Sequence, residues 1–215
     1  MFQSLDSFLR SWEYEANATQ RLLKNLTDGS LKQEITSQNW TLGRIAWHTV
    51  AAIHIIASNT NLTFEAPSED WPVLTTAQFI ADSYQQASDA FIQALKTQWI
   101  DKTLEERIDF LGQKIPNGSL LMFLIQHQAH HRGQMTVLMR QAGLPVLGIY
   151  GPSKEEHSHP KKQKNLLERR EPVGFFCYIY LIKGWKLYSF LGSLLKYLKS
   201  YVLNYIFADF KTTAR

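Results

Sequence analysis

Four segments of the chain place apolar residues at alternating steps of three and four, which is the spacing of one face of an α-helix. The third segment shows the pattern with Ile80, Tyr84, Ala87, Phe91 and Ala94. Helices are therefore predicted over residues 2–27, 41–58, 76–98 and 120–142. Because loops of moderate length join them, the sequence predicts an all-α fold, an up-and-down-type four-helix bundle.

The ends of these helices are predicted from residues that bond free backbone groups. The expected N-caps are Thr41, Thr75 in a capping box with Gln78, and Ser119. Glycines at 29 and 143 are expected to end the first and fourth helices. Residues 116–118, Pro-Asn-Gly, are predicted to be a break before the fourth helix, and a short extended piece is predicted around 108–111.

Charge divides the chain into two parts. Residues 1–152 carry 11 Lys/Arg and 14 Asp/Glu, whereas residues 153–215 carry 12 and 5. The sequence therefore predicts a bundle domain over 1–156 and an atypical, basic and aromatic-rich extension over 157–215. The extension has two readings: an amphipathic membrane-surface segment, or translation past a shifted frame. The bundle domain carries no basic stripe, so nucleic-acid binding is not expected.

Targeting features are missing from the sequence. The N-terminus has no secretory pattern, and no apolar run reaches the length of a membrane span. The single cysteine, Cys177, excludes an internal disulfide and indicates a reducing compartment. A cytoplasmic location is therefore predicted.

The stretch "QHQAHHRGQM", residues 126–135, holds three histidines in a segment that otherwise has the pattern of a buried helix. Successive helical residues are about 100° apart, so His127 and His131 share one face while His130 lies towards its edge. Histidines one turn apart can bind the same metal ion. His48 is the geometric choice for a third ligand, because it lies in the apolar seam of its helix whereas His54 lies outside it.

The histidines also have a purely structural interpretation. A single buried histidine is more often a hydrogen-bonded core residue than a metal ligand. Three unpaired imidazoles in one core would each cost about 1–3 kcal/mol, however, and a divalent cation removes that cost. The set of three therefore favours a metal site. Arg132 and Gln134 are candidates for supporting or pocket groups, with solvent exposure the expectation for Arg132.

Three stretches resemble the DinB-like (DinB/YfiT) family of proposed metalloenzymes: "NWTLGRIAWH", "HQAHHRGQMTVLMRQAGLP" and "GIYGPSKEE". The resemblance covers about residues 1–156. It implies a four-helix bundle, commonly dimeric, with a three-histidine metal site in an open pocket. Carried over to this sequence, the ligands are His48, His127 and His131, and the metal is zinc or nickel, with iron or manganese as alternatives.

The resemblance fixes the site better than the reaction. Relatives in the wider superfamily include transferases and isomerases that use bacillithiol, mycothiol or glutathione. We therefore expect a metal-dependent transferase that delivers a low-molecular-weight thiol to an electrophilic small molecule. A metal-dependent hydrolase and a non-catalytic, stress-associated metal- or ligand-binding protein are the alternatives. No catalytic side chain and no thiol-binding contact is predicted from the sequence.

Overall fold

The computed structural model of the chain describes Phe2, residues 4–70 and residues 75–157. It contains four long helices, α1 (Leu5–Leu23), α2 (Leu42–Ala57), α3 (Ala77–Gln98) and α4 (Asn117–Gln141), and one short helix, α5 (Lys154–His157). The predicted four-helix bundle is confirmed. Helices α1 and α2 each pack against both α3 and α4. Helices α1 and α2 are therefore diagonal to each other, and so are α3 and α4, an arrangement that the loop lengths did not predict.

Helix α1 is shorter than the sequence pattern predicted at both ends. It begins at Leu5 because the Ser4 hydroxyl accepts a hydrogen bond from the Ser7 amide at 3.1 Å. It ends at Leu23, and a 3₁₀ turn over Asp28–Lys32 follows. Gly29 lies inside that turn, so the prediction that it directly ends the helix was wrong.

The predicted cap holds for α2, shifts by one residue for α3 and is absent from α4. Thr41 caps α2, accepting a hydrogen bond from the Arg44 amide at 3.1 Å, as predicted. Helix α3 is capped by Thr76 rather than by Thr75. Helix α4 begins at Asn117, directly after Pro116, and no side chain caps it, so Ser119 is not the cap. Proline is compatible with a helix start because it lacks an N–H that would need a partner there.

Two short strands precede α4. Strand β1 (Arg107–Phe110) pairs antiparallel with β2 (Gln113–Pro116). The two residues between them, Leu111 and Gly112, have φ of 54° and 76°, as a tight hairpin turn requires. The extended piece predicted around 108–111 is thereby confirmed, whereas its partner strand was not predicted. The Phe110 ring packs against Phe123 of α4, with ring centroids 5.2 Å apart.

The core lies between the four helices. All five seam residues predicted for α3 are buried. In α2 the spacing of three and four that passes through Ile45, His48 and Ala52 predicts Ile55 as the next buried residue, but Ile55 is 37% exposed while Ile53 and Ile56 are buried. The reason is that α2 packs against two helices at once and buries a face wider than one seam.

None of the helices in the described part of the chain is long and apolar enough to cross a membrane. The predicted extension lies outside the described residues from position 158 onwards, and Cys177 lies there too. The boundary near residue 156 stays a prediction.

Candidate metal centre

Three histidines from two helices meet between α2 and α4. The Nε2 atom of His127 lies 3.4 Å from Nε2 of His48 and 3.2 Å from Nε2 of His131. One nitrogen of each ring lies within 4.8 Å of the others, so the group could hold a metal ion. The structure thus brings together the three residues that helical geometry had selected.

The outer nitrogens of two of these rings have hydrogen-bond partners. His48 Nδ1 lies 3.0 Å from Oε1 of Glu69, and His131 Nδ1 lies 2.7 Å from Oε1 of Gln134. A carboxylate or an amide oxygen can only accept, so Nδ1 carries the proton in both rings. In the neutral form, each of these rings therefore directs the lone pair of its Nε2 into the cluster. This tautomer is the one that a metal ligand needs.

The third ring differs from the other two. Among the described residues, the buried Nδ1 atom of His127 has no hydrogen-bond partner. Burial, together with the neighbouring imidazoles, lowers the pKa of His127 from 6.5 to about 3. Burial likewise lowers the pKa of His131 to about 4, although its bond to Gln134 acts in the opposite direction. Both rings are therefore neutral at physiological pH.

Fewer protons are available inside the cluster than there are nitrogen atoms facing one another there. Three Nε2 atoms face one another, and a neutral imidazole has one N–H. With protons on the outer nitrogens of His48 and His131, only His127 can place a proton among the three. At least one lone pair then has no donor inside the cluster. A cation suits this arrangement, because all three lone pairs can bind it.

Aromatic and charged side chains lie beside the cluster. Trp40, which is 46% exposed, packs edge-on against the ring of His48 at 5.1 Å. Arg44 lies over the Trp40 ring at 5.2 Å and donates a hydrogen bond to the Glu69 carbonyl at 3.0 Å. On the α4 side, Phe123 packs against His127. These contacts restrict the rotation of both rings.

Two further histidines in the described part of the chain, His54 and His130, lie outside the cluster. His130 is exposed and touches the edge of His131, with ring centroids 4.9 Å apart. His54 packs against Phe64 on the outer side of α2. Neither belongs to the group of three, in agreement with the positions expected from the helical rotation.

Arg132 is buried, so the prediction that it is exposed to solvent was wrong, and the role of Glu69 was not predicted. Arg132 is 1% exposed, because its guanidinium pairs with Glu15 and donates to Thr19 Oγ1 at 2.9 Å inside the bundle. Glu69 lies in the loop between α2 and α3, and no spacing in the sequence relates it to a histidine 21 residues earlier. Gln134, which had been considered as a supporting group, bonds His131.

A surface groove between α1 and α3 is a separate feature. Its volume is about 400 Å³, and none of the three histidines lines it. Two of its charged residues, Asp6 and Arg10, already pair with each other. The histidine cluster is the better candidate site because its three Nε2 atoms converge and at least one of their lone pairs has no donor inside the cluster.

Comparison with known proteins agrees with the fold. The model of the DinB family matches residues 1–166. The chain belongs to the DinB family. It is similar to the Bacillus subtilis (strain 168) protein YrdA, at 80% identity over 156 residues, a match that covers 73% of this chain and 93% of YrdA. The predicted family resemblance is confirmed.

Two solved structures share the DinB-family fold. A DinB-like protein from Bacillus cereus ATCC 10987 is 55% identical and superimposes with a TM-score of 0.68, covering 70% of this chain and all of that one (100%). The DinB-like protein YjoA of Bacillus subtilis is 19% identical, with a TM-score of 0.54 and coverage of 68% and 98%. The second likeness concerns the fold alone.

Proposed function

We propose that this DinB-family protein binds a divalent metal ion through His48, His127 and His131 and uses it to activate a low-molecular-weight thiol. The thiol loses its proton to solvent, and its sulfur then forms a bond to an electrophilic carbon of a small molecule as the bond from that carbon to its leaving group breaks. The observation that carries the metal proposal is the convergence of three Nε2 atoms with a proton available for only one of them.

The donor set suits particular metals. Three imidazole nitrogens match Zn²⁺ and Ni²⁺ best, with iron and manganese as alternatives. No further His, Cys, Asp or Glu of the described residues joins the group. Three protein ligands leave a coordination position for an exogenous molecule, which is typical of catalytic rather than structural zinc sites.

The chain's own residues have separate tasks in this proposal. Glu69 and Gln134 hold the rings of His48 and His131 in the tautomer that leaves Nε2 free. Burial keeps His127 neutral, so that protons compete weakly for its nitrogen. When bound, the metal supplies a Lewis acid that lowers the pKa of a thiol or a water molecule. Trp40 lies beside the cluster and offers an apolar surface to the substrate.

The choice of a thiol over water rests on the family resemblance. A hydrolase would use the same ligands with water as the nucleophile, and a metal- or ligand-binding stress protein would have no turnover at all. The deciding experiment starts with metal analysis of the purified protein. A screen of several thiols against several electrophiles follows, with ester and amide substrates assayed in parallel without thiol.

Each outcome of the screen has a distinct meaning. Metal near one equivalent and thiol-dependent turnover, both lost in His131→Ala, support the proposal. Turnover of esters without thiol supports the hydrolase. Bound metal with no turnover in either screen supports the binding protein, and absence of metal after reconstitution contradicts all three.

Homodimer formation and a cytoplasmic location stay predictions. Light scattering over micromolar concentrations tests the first, and a monomer throughout that range would contradict it.

A further inference from the structure

The side chain of Gln128 lies at the centre of the bundle and contacts all three other helices. It is fully buried, with 0% of its surface exposed. Its Nε2 atom donates to the Thr49 carbonyl of α2 at 2.9 Å. Its Oε1 atom accepts from the Tyr84 hydroxyl of α3 at 3.2 Å and from the Thr19 hydroxyl of α1 at 3.4 Å. A buried amide with fewer partners would be strongly destabilising.

The hydrogen bond from Gln128 to the Thr49 carbonyl lies next to the histidine cluster. Gln128 directly follows His127, and Thr49 directly follows His48. The bond between them therefore joins α2 and α4 one residue away from two of the three rings. Each residue advances a helix by about 1.5 Å. A slip of α2 by one residue would break a 2.9 Å bond and also displace His48 from His127.

Apolar packing between α2 and α4 opposes such a slip less strongly than the hydrogen bond does. Contacts between apolar side chains are non-directional, whereas an N–H···O bond weakens steeply when its length or angle changes. Buried polar groups are known to set the register between helices in some proteins. The Thr49 carbonyl also has a second lone pair, so it can accept from Gln128 without losing its place in α2.

We propose that Gln128 is a positioning residue of the histidine cluster, which holds α2 against α4 so that His48 meets His127 and His131. The expected effect of this positioning on metal affinity rests on the proposed metal function. The alignment of the rings can be measured in the metal-free protein as well.

The test replaces Gln128 by Met, which has a similar length and no strong donor or acceptor. The matched control is Ser88→Ala, which removes the acceptor of the Trp12 indole N–H at 3.0 Å. That bond is also buried and joins two helices, α1 and α3, but neither of its residues neighbours a histidine of the cluster. Both substitutions are expected to lower the melting temperature.

Two readouts separate positioning from general stability. The first is the nuclear Overhauser effect between the ring protons of His48 and His127 in the metal-free protein, whose ring centroids lie 5.2 Å apart. The second is the affinity for Co²⁺ and its visible absorption spectrum. Gln128→Met should weaken the Overhauser effect, reduce Co²⁺ affinity about 10–100-fold and alter the spectrum. Ser88→Ala should leave the Overhauser effect, the Co²⁺ affinity and the spectrum unchanged.

The outcomes are distinguishable. An Overhauser effect of wild-type intensity in Gln128→Met overturns the positioning role, and so does an equal loss in both variants. Failure of the wild-type protein to bind Co²⁺ contradicts the proposed function, while the Overhauser comparison still decides the positioning role. If Gln128→Met does not fold, Gln128→Asn, whose amide is too short to keep all its partners, takes its place with the same expectations.

Discussion

The guanidinium of Arg132 and the carboxylate of Glu15 form an ion pair inside the bundle, where only 2% and 12% of the two side chains are exposed. Tyr150 joins them, its hydroxyl donating to Glu15 Oε2 at 2.8 Å. The pair ties α4 to α1 and to the segment after α4. Arg132 directly follows His131, so a residue of the cluster and a residue of this pair are neighbours in α4.

Breaking this ion pair should be strongly destabilising. Arg132→Met leaves the Glu15 carboxylate without its cation, and we expect the free energy of unfolding to fall by about 3–5 kcal/mol. Arg140→Met is the control, because Arg140 pairs with Glu155 at the surface and such pairs contribute about 0–1 kcal/mol. Urea unfolding of both variants checks the prediction. Equal losses for the two would contradict it.

The three proposed ligands should be distinguishable from their neighbour His130 by metal analysis. Alanine at His48, His127 or His131 removes one of three metal bonds, and each variant should lose most of its metal. Each should also lose the rise in melting temperature that added metal gives the wild-type protein. His130→Ala should keep about one equivalent. Loss of metal in His130→Ala with retention in His131→Ala would reverse the assignment.

The carboxylate of Glu69 should affect metal affinity through its hydrogen bond to the His48 ring. Glu69→Ala removes the acceptor of the His48 Nδ1 proton, and we expect metal affinity to fall about 10–100-fold. Glu65→Ala is the matched control, since it removes the same charge from an exposed position in the same loop. Competition titration with a chromophoric chelator gives both affinities. An equal effect of the two substitutions would indicate general electrostatics instead.

The metal-free protein should lose stability as the pH falls through the acidic range. The pKa values of His127 and His131 are lowered to about 3 and about 4 in the folded state. Between pH 6.5 and these values the unfolded chain binds more protons than the folded one. The free energy of unfolding therefore decreases with falling pH, by up to about 1.4 kcal/mol per pH unit for each ring. Above pH 7 the two rings contribute no pH dependence.

Urea midpoints of metal-free protein between pH 4 and 8 check this, with His127→Leu/His131→Leu as the comparison. The double variant should show a flatter dependence than the wild-type protein, because other titrating groups are common to both. Identical slopes for the two would show that the rings are protonated in the folded state.

The bundle domain should fold without the extension. The charge break after residue 152 and the four helices before it motivate the prediction. A chain that ends at Glu156 should keep its helicity, its cooperative melting and its metal content. Circular dichroism and metal analysis check this, and an insoluble or unfolded product would place part of the core beyond residue 156.

The periodic patterns in the sequence predicted the features that depend on one face of a single helix. The seam of α3 and the shared face of His127 and His131 follow directly from the helical rotation, so the sequence was sufficient for them. The burial of Arg132 did not follow, because it depends on Glu15, which lies on another helix and far away in sequence. The start of α4 at Asn117 was missed because Pro-Asn-Gly is compatible with both a turn and a helix start.

The side chains that bond the outer nitrogens of His48 and His131 lie in different kinds of structure. Gln134 lies on α4 itself, one turn from the ring that it holds, whereas Glu69 lies in a connecting loop. Loops tolerate changes of sequence and length better than packed helices do. Under the proposed metal function, evolution could therefore adjust metal affinity through the loop alone, leaving the core and two of the three proposed ligands untouched.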